Sequence, residues 1–169
     1  GRPASPARVA AVLESASGIS SDFYLAQLLG SIASRYALEP GLRDAYLTAV
    51  ESVESDHYRT EVLSTLLGRN DLDVSEMAVV LRATAGVDSD HYRTQILAQI
   101  ATRALPSDAL RAAYLEAADG IESDHYRSEA LGHLLETSTL SQAQLTDVIR
   151  AAANIESDHY KSALLVEIV

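Results

Sequence analysis

The chain has 169 residues, 47% of them apolar but only 5% aromatic, and a formal charge of −11 that is spread along its whole length. This suits thin, closely packed helices and leaves no basic patch for a nucleic-acid backbone. With no cysteine, disulfides and thiolate metal sites are excluded, and with neither a charged segment leading into an apolar one nor an apolar run of about 18 residues, no signal peptide or membrane span is expected in these residues.

Residues 1–6, with two prolines in four positions, read as a linker or tag remnant. From about Ala7 to Ala16 the spacing of Val9, Val12, Leu13 and Ala16 is helical. This stretch aligns one period ahead of Leu42 to Val50, so 7–20 reads as a half-repeat. Four full repeats follow, 21–54, 55–88, 89–122 and 123–156, and a second half-repeat, 157–169, ends the chain.

The repeats are defined by a motif. It reads Ser55-Asp56-His57-Tyr58-Arg59, Ser89-Asp90-His91-Tyr92-Arg93, Ser123-Asp124-His125-Tyr126-Arg127 and Ser157-Asp158-His159-Tyr160-Lys161, with a degenerate copy at Ser21-Asp22-Phe23-Tyr24-Leu25. Successive aspartates are 34 residues apart throughout, a period that signals an all-α solenoid of stacked helix-turn-helix units.

In each repeat the motif opens a helix A of about 13 residues. Its apolar stripe is Tyr58, Val62, Leu63, Leu66 and Leu67, matched by Tyr92, Ile96, Leu97, Ile100 and Ala101 and by Tyr126, Ala130, Leu131, Leu134 and Leu135. Helix B centres on Tyr46/Leu47, Val80/Leu81, Tyr114/Leu115 and Val148/Ile149. Gly86 and Gly120 are expected to end B helices, ahead of the apolar anchors Val53, Val87, Ile121 and Ile155. The A-to-B connections, Gly68-Arg69-Asn70-Asp71 and Ala104-Leu105-Pro106 among them, differ in sequence and form the variable edge. The ending Leu164 to Val169 is expected to leave an apolar face in water, which fits either a fragment of a longer protein or a face that accepts a second copy.

Local physics assigns the motif structural roles. The serines stand where a hydroxyl can cap a helix N-terminus, the aspartates suit the positive end of the helix dipole, and the tyrosines begin the buried stripe with the hydroxyl at its rim. His and Arg are absent from the first copy, which has no helix A before it. They are therefore expected to reach back to the preceding repeat, pairing Arg59 with Asp22, Arg93 with Asp56, Arg127 with Asp90 and Lys161 with Asp124.

A metal or catalytic ladder of His57, His91, His125 and His159 is the sharper alternative. It is disfavoured because equivalent points on packed helices lie about 10 Å apart, whereas zinc gathers its ligands within about 2.1 Å of one centre. His133 stands alone, and Asp71 with Asp73 lacks the remainder of a calcium loop. No metal or cofactor is expected.

The period is that of tetratricopeptide repeats, though their Trp, Leu-Gly and Tyr pattern is missing. Val53-Glu54-Ser55-Asp56-His57-Tyr58-Arg59 and Ile121-Glu122-Ser123-Asp124-His125-Tyr126-Arg127 resemble the Ser-Asp-Tyr-type repeats that follow the membrane-embedded peptidase region of bacterial M56 or BlaR1-like metallopeptidases. The resemblance implies a bacterial, extracytoplasmic helical module attached to something else; no peptidase zinc motif is present, so no activity is carried over.

Together these readings indicate a non-catalytic scaffold or protein-interaction module with a basic protein or peptide partner. The alternatives are end-to-end self-association through the half-repeats, and a metal-binding or enzymatic domain.

Overall fold

The structure, a computed structural model, describes residues 5–103, 105 and 107–169. The described residues are all-α and 74% helical. Among the described residues ten helices follow one another without a strand: α1 (Pro6–Ala16), α2 (Asp22–Ala33), α3 (Pro40–Glu51), α4 (Asp56–Leu67), α5 (Val74–Ala85), α6 (Asp90–Ala101), α7 (Asp108–Asp119), α8 (Asp124–Thr137), α9 (Gln142–Ala153) and α10 (Asp158–Ile168). The even-numbered ones are the expected A helices and the odd-numbered ones the B helices. The chain divides into two compact halves, Gly1–Gly86 and Val87–Val169.

Each half is two layers of helices in a repeat-like array. In the first, α2 packs on α4 in the A layer while α1, α3 and α5 pack in sequence in the B layer. In the second, α6, α8 and α10 form the A layer and α7 packs on α9. The A-helix stripe meets the B layer as its spacing requires: Val62, Leu63, Leu66, Leu67, Ile96, Leu97, Ile100, Ala101, Ala130, Leu131 and Leu134 are buried. The anchors Val53, Val87, Ile121 and Ile155 are fully enclosed. Val148 is buried but its neighbour Ile149 is 43% exposed, because the inward face of α9 is narrow, with Val148 and Ala152 as its buried residues. On α10, Leu164 is buried and Val166 is 75% exposed.

Of the expected linker 1–6, the last two residues belong to the start of α1. Pro6 is the first residue of α1 and Ser5 its N-cap, since proline is tolerated where the helix has no use for its N–H; residues 1–4 lie outside the described residues. Of the connection at 104–106, only Leu105 is described, and it is buried.

The B-to-A turns hold the repeats in register by bonds to backbone groups, where ion pairs of Asp22 with Arg59, Asp90 with Arg127 and Asp124 with Lys161 were expected. The Asp22 carboxylate accepts the backbone N–H groups of Glu54 (3.3 Å) and Ser55 (2.7 Å). The Arg59 guanidinium donates from Nε (3.1 Å) and Nη2 (2.6 Å) to the carbonyl of Val53, and from Nη2 to that of Glu51. Asp22 and Arg59 thus converge on one turn, with the Val53–Glu54 peptide group between them. The same arrangement joins Asp90 to the N–H groups of Glu122 (3.1 Å) and Ser123 (2.8 Å), with Arg127 on the Ile121 carbonyl (3.0 and 2.5 Å). Asp124 accepts Glu156 and Ser157 N–H groups rather than Lys161. Arg93 clasps Val87 with Nε and Nη2.

The guanidinium also reaches forward. Nη1 of Arg59 donates to the Gly86 carbonyl, and Nη1 of Arg127 to that of Asn154 (2.6 Å). One arginine therefore serves the C-terminal ends of two successive B helices, whose last carbonyls have no partner within the helix and carry the negative end of its dipole. Gly86 and Gly120 are the C-cap residues, both with negative φ. Space rather than backbone freedom explains Gly120, where an added Cβ would sit 2.5 Å from Nη1 of Arg93.

Replacing Asp124 by Ala strips the acceptor from two N–H groups and should cost about 1.5–3 kcal/mol, read as a lower denaturation midpoint at unchanged m value. Gly120→Ala should destabilise by about 1–3 kcal/mol through overpacking against Arg93. Gly41→Ala, where nothing lies within 4 Å of the new Cβ, should instead stabilise by about 0.5–1 kcal/mol.

Candidate interaction edge

The motif serines occupy N-cap positions, but their hydroxyls make no capping bond. Their ψ angles, 113–121°, differ from the 150–170° of the residues that do cap, Asp73, Ser107 and Ser141. In the turns before α4, α8 and α10 the serine contributes its N–H to the preceding repeat's aspartate, a charge-assisted bond that outweighs a hydroxyl cap.

With Asp22, Asp90, Asp124, Arg59, Arg93 and Arg127 engaged on backbone groups, the histidines and tyrosines form the outer surface. Tyr58, Tyr92, Tyr126 and Tyr160 are half-buried instead of lying in the core, and His57, His91, His125 and His159 are exposed. Each tyrosine stands beside the histidine of its own motif, at ring-centroid distances of 5.0–5.3 Å. In the second half, His91 also meets Tyr126 (5.8 Å) and His125 meets Tyr160 (5.4 Å). Six rings, Tyr92, His91, Tyr126, His125, Tyr160 and His159, thus run in one unbroken row. In the first half Tyr24, Phe23, Tyr58 and His57 form a row of four.

Phe23 explains itself in this row. The ring at this position leans forward onto the next repeat's tyrosine rather than back, so Phe23 does for Tyr58 what His91 does for Tyr126, and phenylalanine suffices. Leu25, in place of the arginine, is buried.

Acidic residues precede the motifs in sequence, and Glu129 stands beside the row in space. Glu54, Glu122 and Glu156, the residues before the motif serines, are exposed. His125 and His133 both approach Glu129, at 3.9 and 3.8 Å, and His133 also approaches Glu136. Among the described residues no group of three or more His, Cys, Asp or Glu is placed to hold a metal ion.

Two other features lie away from the motif. Between α7, α8 and α9 is a groove of about 620 Å³ floored by Leu115, Leu134, Leu140 and Val148 and rimmed by Asp108, Arg111 and Asp147. In the first half, Glu76 is 2% exposed, accepting the Leu38 N–H (2.7 Å), Arg69 Nη1 (2.8 Å) and, within its capping box, the Asp73 N–H (3.1 Å). Its signal was legible: Asp73-x-x-Glu76, like Ser141-x-x-Gln144, is a capping-box pattern. The loop carboxylates beside it have structural partners, since Asp71 accepts from Arg69 (3.0 Å) and Asp73 pairs with Arg43 (2.9 Å).

No family model, curated protein or solved structure matches this chain, so none supports the resemblance to the metallopeptidase-associated repeats.

Two carboxyls are held below the ordinary aspartate range: Asp71 by its hydrogen bond from Arg69, and Asp108 by Arg111 and then Gln144. Their folded values lie below the unfolded one, so their contribution is complete above about pH 3.9 and fades as pH falls through the folded values. An Asp71→Asn/Asp108→Asn variant should be less stable than the parent at neutral pH. The difference should shrink as a series of denaturation midpoints is carried below about pH 4.

Proposed function

We propose that the protein is a non-catalytic helical-repeat scaffold that docks a basic protein or peptide along its motif edge. The observation that carries this reading is the unbroken row of rings at the surface. Its histidines are exposed, Glu129 stands beside His125 and exposed carboxylates precede the motifs in sequence, while Asp90, Asp124, Arg93 and Arg127 are engaged on backbone groups of the turns. Rings with flanking carboxylates attract cations through the ring face and through charge. Extracytoplasmic placement as a bacterial module within a larger protein, which the motif resemblance implies, belongs to the same proposal.

Fluorescence anisotropy with labelled oligolysine, oligoarginine and oligoglutamate tests it. The two basic probes should bind, and added salt should weaken them. The acidic probe should not bind. A His91→Ala/His125→Ala/His159→Ala variant with unchanged helicity should lose affinity for the basic probes. Equal binding of all three probes, or none, would overturn the reading.

A further inference from the structure

We infer that the partner segment is an extended polyproline II peptide with a cationic side chain at every third residue, lying along the ring row of the second half. This rests on the docking reading above and adds the conformation and sequence period of what is docked.

The row sets a spacing. From Tyr92 to Tyr126 the path through His91 is 5.3 plus 5.8 Å, so the two tyrosines are at most 11.1 Å apart. From Tyr126 to Tyr160 through His125, 5.0 plus 5.4 Å gives at most 10.4 Å. Neighbouring packed helices such as α6, α8 and α10 stand about 8–10 Å apart, so equivalent rungs recur at about that interval. A polyproline II helix advances about 3.1 Å per residue with three residues per turn, returning a side chain to the same face every ~9.3 Å. A β-strand returns one at about 6.7 Å or 13.4 Å, between which the rungs fall.

The chemistry agrees with the geometry. Each of the three rungs offers a His–Tyr pair with an exposed carboxylate just before its motif: Asp88, Glu122 and Glu156. An arginine or lysine seated at a rung meets ring faces and an acid together. At the first two rungs the scaffold's own cations do not compete, since Arg93 is 8% exposed and both Arg93 and Arg127 are committed to turn carbonyls; Lys161 stands at the third. Polyproline II makes no internal hydrogen bonds and is already extended before binding, so it suits a row one ring wide that offers a line of contacts rather than a groove.

Three peptides of matched charge distinguish the possibilities: three repeats of Arg-Pro-Pro, the same residues with the arginines clustered at one end, and an alanine-rich helical peptide with arginine at heptad spacing, which returns every ~10.5 Å. Calorimetry at low salt should show the registered peptide binding roughly tenfold tighter than the clustered one. Glu122→Gln/Glu156→Gln should reduce that preference, as should the triple histidine variant, each with helicity unchanged. If registered and clustered peptides bind alike, the register is wrong while the basic-partner reading stands. Tighter binding of the helical peptide overturns the polyproline conformation. If no basic peptide binds, both readings fall.

Discussion

A single peptide group, held between a carboxylate and a guanidinium, organises this protein. In the turn before α4, the Val53 carbonyl takes the Arg59 fork while the Glu54 N–H points to Asp22; before α8, Ile121 and Glu122 repeat the arrangement with Arg127 and Asp90. Turn backbone has polar groups that helices cannot satisfy internally, and leaving them unpaired while partly buried costs more than pairing them returns. Here the two charged partners come from opposite sides of the turn along the chain. The aspartate precedes it by nearly a whole repeat and the arginine follows it by six residues, at the end of the first turn of the next helix. A helix inserted or lost between them would separate the carboxylate from its target, so the 34-residue period is an electrostatic requirement as well as a packing one.

Under that regular edge, the B layer alternates. Tyr46 and Tyr114 are fully buried where α5 and α9 have Val80 and Val148. Their hydroxyls reach carbonyls of A helices, Leu29 (3.3 Å) and Ala130 (2.7 Å), and burial pushes both above the ordinary tyrosine range, so each stays a neutral donor. Arg43 and Arg111 recur at the same interval, as do the capping boxes at Asp73 and Ser141. The B helices therefore follow a 68-residue period, twice that of the A helices.

Much of the architecture was readable because the motif recurs at one spacing and the apolar stripe of helix A recurs with it; the anchors from Val53 to Ile155 needed nothing further. What was misread depended on partners a linear sequence does not display. A serine before an apolar run is ordinarily a capping residue, and only the arrival of an aspartate from the previous repeat displaces its hydroxyl. Arg59 looked for an acid because acids are visible in a sequence, whereas its partners are carbonyls. The tyrosines were placed inside by helical phase, yet at the first turn that phase points along the edge, where a neighbouring ring covers them. The 68-residue period was legible in Tyr46 and Tyr114 but lies in the helix without the motif, and the shorter period masked it.

The alternation in the B layer has a bearing on how such a chain grows. Removing one 34-residue segment, such as 55–88, would leave the spacing of the motif intact, yet along the chain two tyrosine-bearing B helices would follow one another where a valine-bearing one had come between them. A gain or loss of four helices keeps the alternation of tyrosine and valine along the chain, whereas a gain or loss of two breaks it.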